Sequence, residues 1–400
     1  MVTAIKNLAE SLAGDGIAVT LVAPDSIEAR LWAERHGIGF MALGRNWLGS
    51  SAWLWRPVSR RRLENALRDV DIVHLHSPLF SGVALAKLAR AQAIPVVVTT
   101  HLMPQNILAA LKVLWAGKFR WANKIAWALI GRGLYLADEV TSPSAFGASL
   151  IQDVFGRSDI HVISNGVRID RAICPAPSHT NESAPLRAVF VGRLNREKNI
   201  EEMLFAVDAC RKADLDIRLT IVGAGPDKSR LMAISHTLGI SPFVEFSGCV
   251  CDDERNQRCS DADFFWMPSR FELESCAALE AMALSRAVLA GKAGALPALT
   301  GDGRGGRLYC PGELHEIVEH VASFRRDRAA LAGLGKEALM IARASSIDRT
   351  RQKYCQIYRT LIQQRAGWRL ADTQPQAKTI HTNTFRSEEV ILKARAGKKR

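Results

Sequence analysis

Short, continuously apolar segments alternate with helical stretches along this chain, and the pattern runs through it twice. In the first half the apolar segments are IAVTLVAP (17–24), IGFMAL (38–43), DIVHLH (71–76) and IPVVVTT (94–100). In the second half they are RAVFVG, IRLTIVG, VEFSG, DFFWMPS and AVLAG, all after residue 185. A strand apolar along its whole length must be buried on both faces, as in parallel sheets covered by helices on each side. The alternation therefore predicts an α/β chain of two doubly wound, Rossmann-like domains. The segment 174–185, CPAPSHTNESAP, is rich in proline and polar residues and reads as the connection between them. A length of 400 residues, too long for one ordinary core, agrees with two domains.

The opening is unusual for such a fold. A doubly wound domain begins with a strand whose carboxyl end carries a glycine-rich turn into the first helix. Here residues 3–13 already show helical spacing, with Ile5, Leu8, Ala9 and Leu12 on one side, and Gly14 to Gly16 end the helix. Either the fold does without its first strand, or that strand precedes the recorded start.

Composition narrows the partners. A hydrophobic fraction of 48% and a charged fraction of 23% are those of a globular protein, and the net charge of +13 favours anionic ligands or surfaces. The final 35 residues hold eight Lys/Arg against three Asp/Glu, so part of that excess is a basic tail. All eight cysteines follow residue 170 and none forms a CxxC pair. The Cys249, Cys251 and Cys259 group lacks the spacing of a metal site, so no metal is expected and the thiols read as reduced. The first residues lack the apolar core of a signal peptide, and no apolar run reaches the ~18 residues that span a bilayer. A cytoplasmic protein, peripheral to the membrane at most, is expected.

Two stretches combine tryptophan with basic residues. Along 107–130, Ile107, Leu111, Leu114, Trp115, Trp121, Ile125 and Leu129 recur at helical spacing, with Lys112, Arg120 and Lys124 on other faces. The pattern suits either an interfacial helix on an anionic membrane or a core helix that buries its tryptophans. Trp47, Trp53 and Trp55 lie near Arg56, Arg60, Arg61 and Arg62. No nucleic-acid-binding motif accompanies them, and nucleic acid is not an expected partner.

The chemistry-bearing residues lie in the second half. Arg193 and Lys198 follow the strand RAVFVG at the mouth of a strand–loop–helix unit. A guanidinium and an ammonium there can hold a diphosphate, aided by the positive N-terminal end of a helix starting near Asn199. Glu272 and Glu280 frame the start of a second helix capped by Ser275. On a continuous helix they would stand ~12 Å apart, too far to act on one anomeric carbon. The span suits one acid on ribose hydroxyls and the other on a transferred sugar, and a paired-carboxylate hydrolase fits less well. Glu274 rivals Glu272 for the loop position. Cations and acids so arranged suit a nucleoside diphosphate-sugar.

The segments GRLNREKN, IVGAGP and VEFSG, and PSRFE followed by Glu280 in LEAMA, resemble the retaining family 4 glycosyltransferases of GT-B fold. The resemblance extends over roughly residues 3–365, with ISNGV (163–167) before the crossover and SIDRTRQKYCQIYRTLI as the returning helix. It implies an acceptor-side domain over 1–168, a nucleotide-sugar domain over 169–345, a crossover helix over 346–365 and an unstructured basic tail over 366–400. It further implies transfer of a hexose from a UDP- or GDP-sugar to a hydroxyl, with retained anomeric configuration, no cofactor and no essential metal. Arg193 and Lys198 match the family's diphosphate pair, Glu280 the ribose acid, Glu272 the acid facing the donor sugar, and Val250 the position beside the base. DIVHLHSP and VVVTTHLMPQN resemble the subgroup that glycosylates diacylglycerol and related lipids, which implies a lipid or saccharide acceptor. His101 matches the histidine that approaches the transferred sugar, whereas His74 and His76 are expected to be structural. The chain departs from the pattern at Leu273 and Ser275, where the family has glycines, and at Ala298, where it has an acid. A nucleotide-sugar epimerase or hydrolase of the same fold, or a truncated chain that only binds sugar nucleotide, are the other readings.

Overall fold

A computed structural model describes residues 2–45, 59–76, 79–101, 104, 120–169, 184–370 and 389–394. The chain divides into two compact units, one of Met1–Gly166 with Ile347–Arg400, the other of Val167–Ser346. The connection read at 174–185 lies almost wholly outside the described residues, and Trp47, Trp53, Trp55, Arg56 and the whole of 107–119 lie outside them too.

The first unit runs α1 (Val2–Gly14), β1 (Ile17–Asp25), α2 (Ile27–Arg35), β2 (Gly39–Arg45), α3 (Arg60–Ala66), β3 (Val73–Leu75), α4 (Phe80–Ala91), β4 (Val96–Thr99), α5 (Arg120–Leu134), β5 (Glu139–Ser142), α6 (Ala145–Phe155) and β6 (Ile160–Val162). Strands β3 to β6 form one parallel sheet in sequence order, and β1 pairs in parallel with β2. The apolar runs of β3 and β4 are wholly buried, as strands covered on both faces must be.

In the second unit the order is β7 (Leu186–Val191), α7 (Ile200–Lys212), β8 (Ile217–Val222), α8 (Lys228–Thr237), β9 (Val244–Gly248), α9 (Asp252–Asp261), β10 (Phe264–Met267), α10 (Cys276–Ala283), β11 (Ala287–Gly291), α11 (Leu296–Leu299), β12 (Gly306–Tyr309), α12 (Leu314–Arg326) and α13 (Arg328–Ala344). Its six parallel strands lie in the order β12-β11-β10-β7-β8-β9. Winding goes outward from β7 in one direction and from β10 in the other, so the switch point falls between these two strands. In open sheets of this kind ligands bind beyond the carboxyl ends of the strands at that point. Helix α7 shows how sequence sets the packing. Ile200, Met203, Leu204 and Val207 are buried at helical spacing, Glu201 and Glu202 occupy its first turn and Arg211 and Lys212 its last, complementing its dipole.

The chain then returns to the first unit through α14 (Ile347–Leu370), whose Tyr354, Tyr358 and Leu361 pack in one cluster with Ile5, Leu8 and Leu12 of α1. This helix continues past the expected end at 365. The tail, expected to carry no structure, contributes β13 (Glu389–Ala394), antiparallel to β1 with Ile17 opposite Ala394 and Val22 opposite Glu389. Strand β13 also lies beside β3. Its ladder to β1 satisfies the backbone donors and acceptors along that edge.

Candidate active site

The loop leaving β7 is built on backbone contact. Gly192 N–H donates to Val222 O (3.0 Å), Leu194 N–H to Ala224 O (2.9 Å) and Asp227 N–H to Leu194 O (3.0 Å). Gly223 has φ +136°, and a Cβ there would collide with the carbonyl oxygen of Gly192. A Cβ on Gly225 would likewise strike Leu194 O. The GAG of β8 therefore serves as the shoulder against which the GRLN loop rests, a role that its resemblance to a motif did not disclose.

From that support the chain makes a single 3-10 turn, Arg196–Lys198, and Asn199 takes a left-handed conformation (φ +52°) as the cap of α7. Lys198 is thereby aimed at the loop after β10, where its Nζ lies 2.5 Å from Glu272 Oε1. Both side chains are mostly shielded from water, 17% and 9% exposed. The two loops are tied elsewhere as well: Ser269 Oγ donates to Glu197 O (3.3 Å) and Asn199 Nδ2 to Pro268 O (3.4 Å). Glu272 is fixed from behind by Ala295 N–H, which donates to its carbonyl at 2.9 Å. The intervening Gly294 has φ +57°, and a Cβ there would press on the Glu272 backbone.

Arg193 lies on the same loop but is 66% exposed, with Nη2 donating to Glu197 Oε1 at 3.0 Å. Asn195 Nδ2 donates to the same oxygen (3.0 Å). The guanidinium is held by a weak surface pair that a stronger anion can displace.

Ser275 caps α10, its hydroxyl accepting from Ala278 N–H at 3.3 Å, as the spacing predicts. Leu273, a departure from the family's glycine, is buried. Glu280 stands on α10 with its Oε2 3.7 Å from Arg255 Nε on α9. Burial raises its carboxyl above the ordinary value, and the Arg255 cation partly offsets this. Arg255 escaped the sequence reading because no spacing rule links α9 to α10. Val250 is half-buried and packs on the core. Glu274 is half-buried. Glu202 also went unnoticed: it is buried, accepts from Tyr309 Oη (3.0 Å) and Gly312 N–H (2.6 Å), and braces the sheet's far loops.

His101 belongs to the first unit. It follows β4, while His76 follows the adjacent β3, and His76 Nδ1 lies 2.8 Å from His101 Nε2. Burial lowers both imidazoles well below their usual value, so both rings are neutral at pH 7. His74 is held at both nitrogens, by Tyr358 Oη (2.7 Å) and Thr99 Oγ1 (2.6 Å), and burial lowers it to about 3. Among the described residues no group of three or more His, Cys, Asp or Glu could hold a metal ion.

Two α/β units of parallel strands and helices, the second doubly wound with paired cation and carboxylate at its switch point, define the GT-B class. The profile for Glycosyltransferase Family 4 matches residues 1–171, and that for Glycosyl transferases group 1 matches residues 185–327. The chain belongs to the family 4, group 1 glycosyltransferases. Among curated proteins it is similar to the sulfoquinovosyl transferase SQD2 of Arabidopsis thaliana, 27% identical over 67% of this chain and 52% of that protein. It is also similar to the alpha-monoglucosyldiacylglycerol synthase of Streptococcus pneumoniae, 24% identical over 60% of this chain and 56% of that protein. The chain thus spans about half to three-fifths of the length of the curated relatives it matches first. Among solved structures, HepE of Anabaena in complex with UDP-glucose shares the fold, with a TM-score of 0.71 at 19% identity, covering 90% of this chain and 95% of that one.

Proposed function

We propose that this chain transfers a hexose from a UDP-sugar to a hydroxyl acceptor on a lipid, with retention of anomeric configuration. The observation that carries the reading is the Lys198–Glu272 pair at the switch point of the second unit. An ammonium at that place meets the diphosphate, and a carboxylate within reach of it meets hydroxyls of the sugar that the diphosphate carries. The exposed Arg193 guanidinium adds a second charge by leaving Glu197 for phosphate oxygens. Glu280, with Arg255 beside it, takes the ribose hydroxyls, and Val250 lies beside the base. Glu274 stands in reserve for the position of Glu272. HepE binds UDP-glucose, whereas a mannosyltransferase of Mycobacterium tuberculosis, 28% identical over 82% of this chain, is GDP-mannose-dependent; uridine is the base proposed here.

In the transfer the bond between the anomeric carbon and the diphosphate oxygen breaks, and the acceptor oxygen bonds to that carbon on the same face. The acceptor's proton passes to the departing phosphate oxygen, so no protein base is needed. Lys198 and Arg193 stabilise the charge that develops on the diphosphate, and one such donor contributes roughly 3 kcal/mol to lowering a barrier. His101, neutral, donates to or accepts from a hydroxyl of the moving sugar. The charge is carried by side chains, and neither cofactor nor metal enters the steps.

A lipid acceptor is supported by α5. Ala122, Ala126, Ile130 and Leu134 are buried, whereas Trp121, Ile125 and the following Tyr135 are 60%, 53% and 75% exposed, beside exposed Lys124 and Arg132. Aromatic and aliphatic side chains flanked by cations suit an anionic membrane surface. The described part of this stretch therefore presents Trp121 outward instead of burying it. No helix among the described residues is long and apolar enough to cross a membrane.

Product analysis tests the reading. Incubation with UDP-glucose, UDP-galactose and GDP-mannose, each with and without a lipid extract, is expected to give an α-linked glycolipid from a uridine donor. Donor hydrolysis as the sole activity would instead identify an acceptor-independent enzyme. Donor binding without any turnover would identify a chain that only binds sugar nucleotide.

A further inference from the structure

His76 is buried and was expected to be structural, yet its position suggests a task. It directly follows β3, one strand over from His101, and the two rings lie edge to edge and nearly coplanar, with centroids 5.0 Å apart and 10° between planes. The 2.8 Å contact joins His76 Nδ1 to His101 Nε2. Behind His76 stands His74, with ring centroids 4.1 Å apart. His74 is itself locked by Tyr358 and Thr99, and Thr99 Oγ1 is bonded to Thr141 Oγ1 (2.6 Å) and Tyr354 Oη (3.0 Å). The three rings thus form a row anchored in α14 at one end and ending at the half-buried His101 at the other.

Two neutral imidazoles sharing one hydrogen bond have complementary tautomers. If His76 Nδ1 carries the proton, His101 Nε2 accepts and the His101 proton resides on Nδ1. If His101 Nε2 donates, its Nδ1 is an acceptor. In either case Nε2 is engaged and only Nδ1 is left for substrate. Among the described residues no hydrogen bond reaches that atom.

We propose that His76 is a positioning residue that engages Nε2 of His101 and fixes its ring orientation, so that Nδ1 is the single nitrogen offered to the transferred sugar. This rests on the reading of His101 as the histidine that meets the sugar. A row of locked side chains behind one exposed ring reduces the motion of the reacting group, and misplacement of such groups slows transfer more than it weakens binding.

The test joins spectroscopy with kinetics on the full chain. Histidine labelled with 13C and 15N reports, without reference to activity, whether the His101 ring keeps one orientation. The wild type is expected to show one orientation, and His76→Phe, which removes the bond, exchange between two. With UDP-sugar and lipid acceptor, His76→Phe is expected to lower kcat about tenfold and leave KM for the donor within about twofold. His76→Asn keeps a polar atom near the lost nitrogen and is expected to restore a single orientation and most of kcat. It also replaces the phenylalanine variant should that one not fold, in which case His76→Leu supplies the unbonded state. An unchanged His101 orientation in the unbonded variant overturns the proposal, and a changed orientation with wild-type kcat overturns its relevance to transfer. Full activity of His101→Ala would instead defeat the underlying role of His101 and leave the orientation result standing.

Discussion

Lys198 Nζ and Glu272 Oε1 lie 2.5 Å apart although 74 positions separate them in the chain. They come from the carboxyl ends of β7 and β10, the adjacent strands at which the winding of the second sheet reverses. Parallel strands paired at the switch point deliver loops from distant parts of the sequence to one spot, and here they deliver opposite charges. A pair this well shielded depends on both partners, because either one alone would be a charge with little water to solvate it.

Lys198→Ala is expected to lower turnover at least ~100-fold if the ammonium stabilises the leaving diphosphate. The same change leaves Glu272 uncompensated and should reduce stability by about 3 kcal/mol, read from urea unfolding. Lys198→Ala combined with Glu272→Gln should recover most of the stability and none of the activity. Recovery of both would show that the pair serves folding alone.

Glu280 carries a sign that can be checked. Burial raises its carboxyl above 4.5, so the folded chain binds this proton more tightly than the unfolded one. The contribution of this group to stability therefore falls as pH rises from 4.5 through the raised folded value. Donor binding has the opposite slope, since the ionised carboxylate accepts ribose hydroxyls. Calorimetric titration with UDP is expected to show affinity weakening as pH falls through that window in the wild type and a flatter profile in Glu280→Gln. Parallel profiles would remove Glu280 from the donor site.

Gly223→Ala tests the shoulder beneath the GRLN loop. With φ at +136° and a carbonyl oxygen in the way, the methyl group forces the two loops apart. A loss of about 3 kcal/mol in thermal or urea unfolding is expected. Gly239→Ala, at a positive φ but with open space around it, should cost only about 1 kcal/mol and serves as the control.

Trp121→Glu should abolish sedimentation with phosphatidylglycerol vesicles if α5 rests on an anionic surface, while turnover of a water-soluble acceptor stays near wild type. Undiminished vesicle binding would assign membrane contact to another part of the chain.

Much of the architecture was legible because buried parallel strands leave continuous apolar runs. All nine predicted strands are present at their predicted places, from Ile17–Asp25 to Ala287–Gly291. The short strands Glu139–Ser142, Ile160–Val162 and Gly306–Tyr309 were missed, since EVTS, IHV and GRLY mix polar with apolar residues and leave no continuous apolar run. Glu389–Ala394 was missed for a different reason: it sits in a basic, polar tail and owes its conformation to the edge of β1. In the site, Lys198 and Glu272 could be named from motif and charge, but their contact could not, because it depends on sheet order. Arg255 and His76 meet their neighbours on other elements, and local spacing is silent about such pairs. Arg193 shows the limit from the other side, for its motif position said nothing of the Glu197 carboxylate that holds it.

Calorimetry of UDP binding to the wild type and to Lys198→Ala, at one pH and salt concentration, addresses the diphosphate site most directly. The wild type is expected to bind UDP, and the variant to lose at least about tenfold in affinity, while uridine, which lacks the phosphates, should bind both equally. Equal UDP affinity for the two proteins would contradict the assignment of Lys198 to the diphosphate.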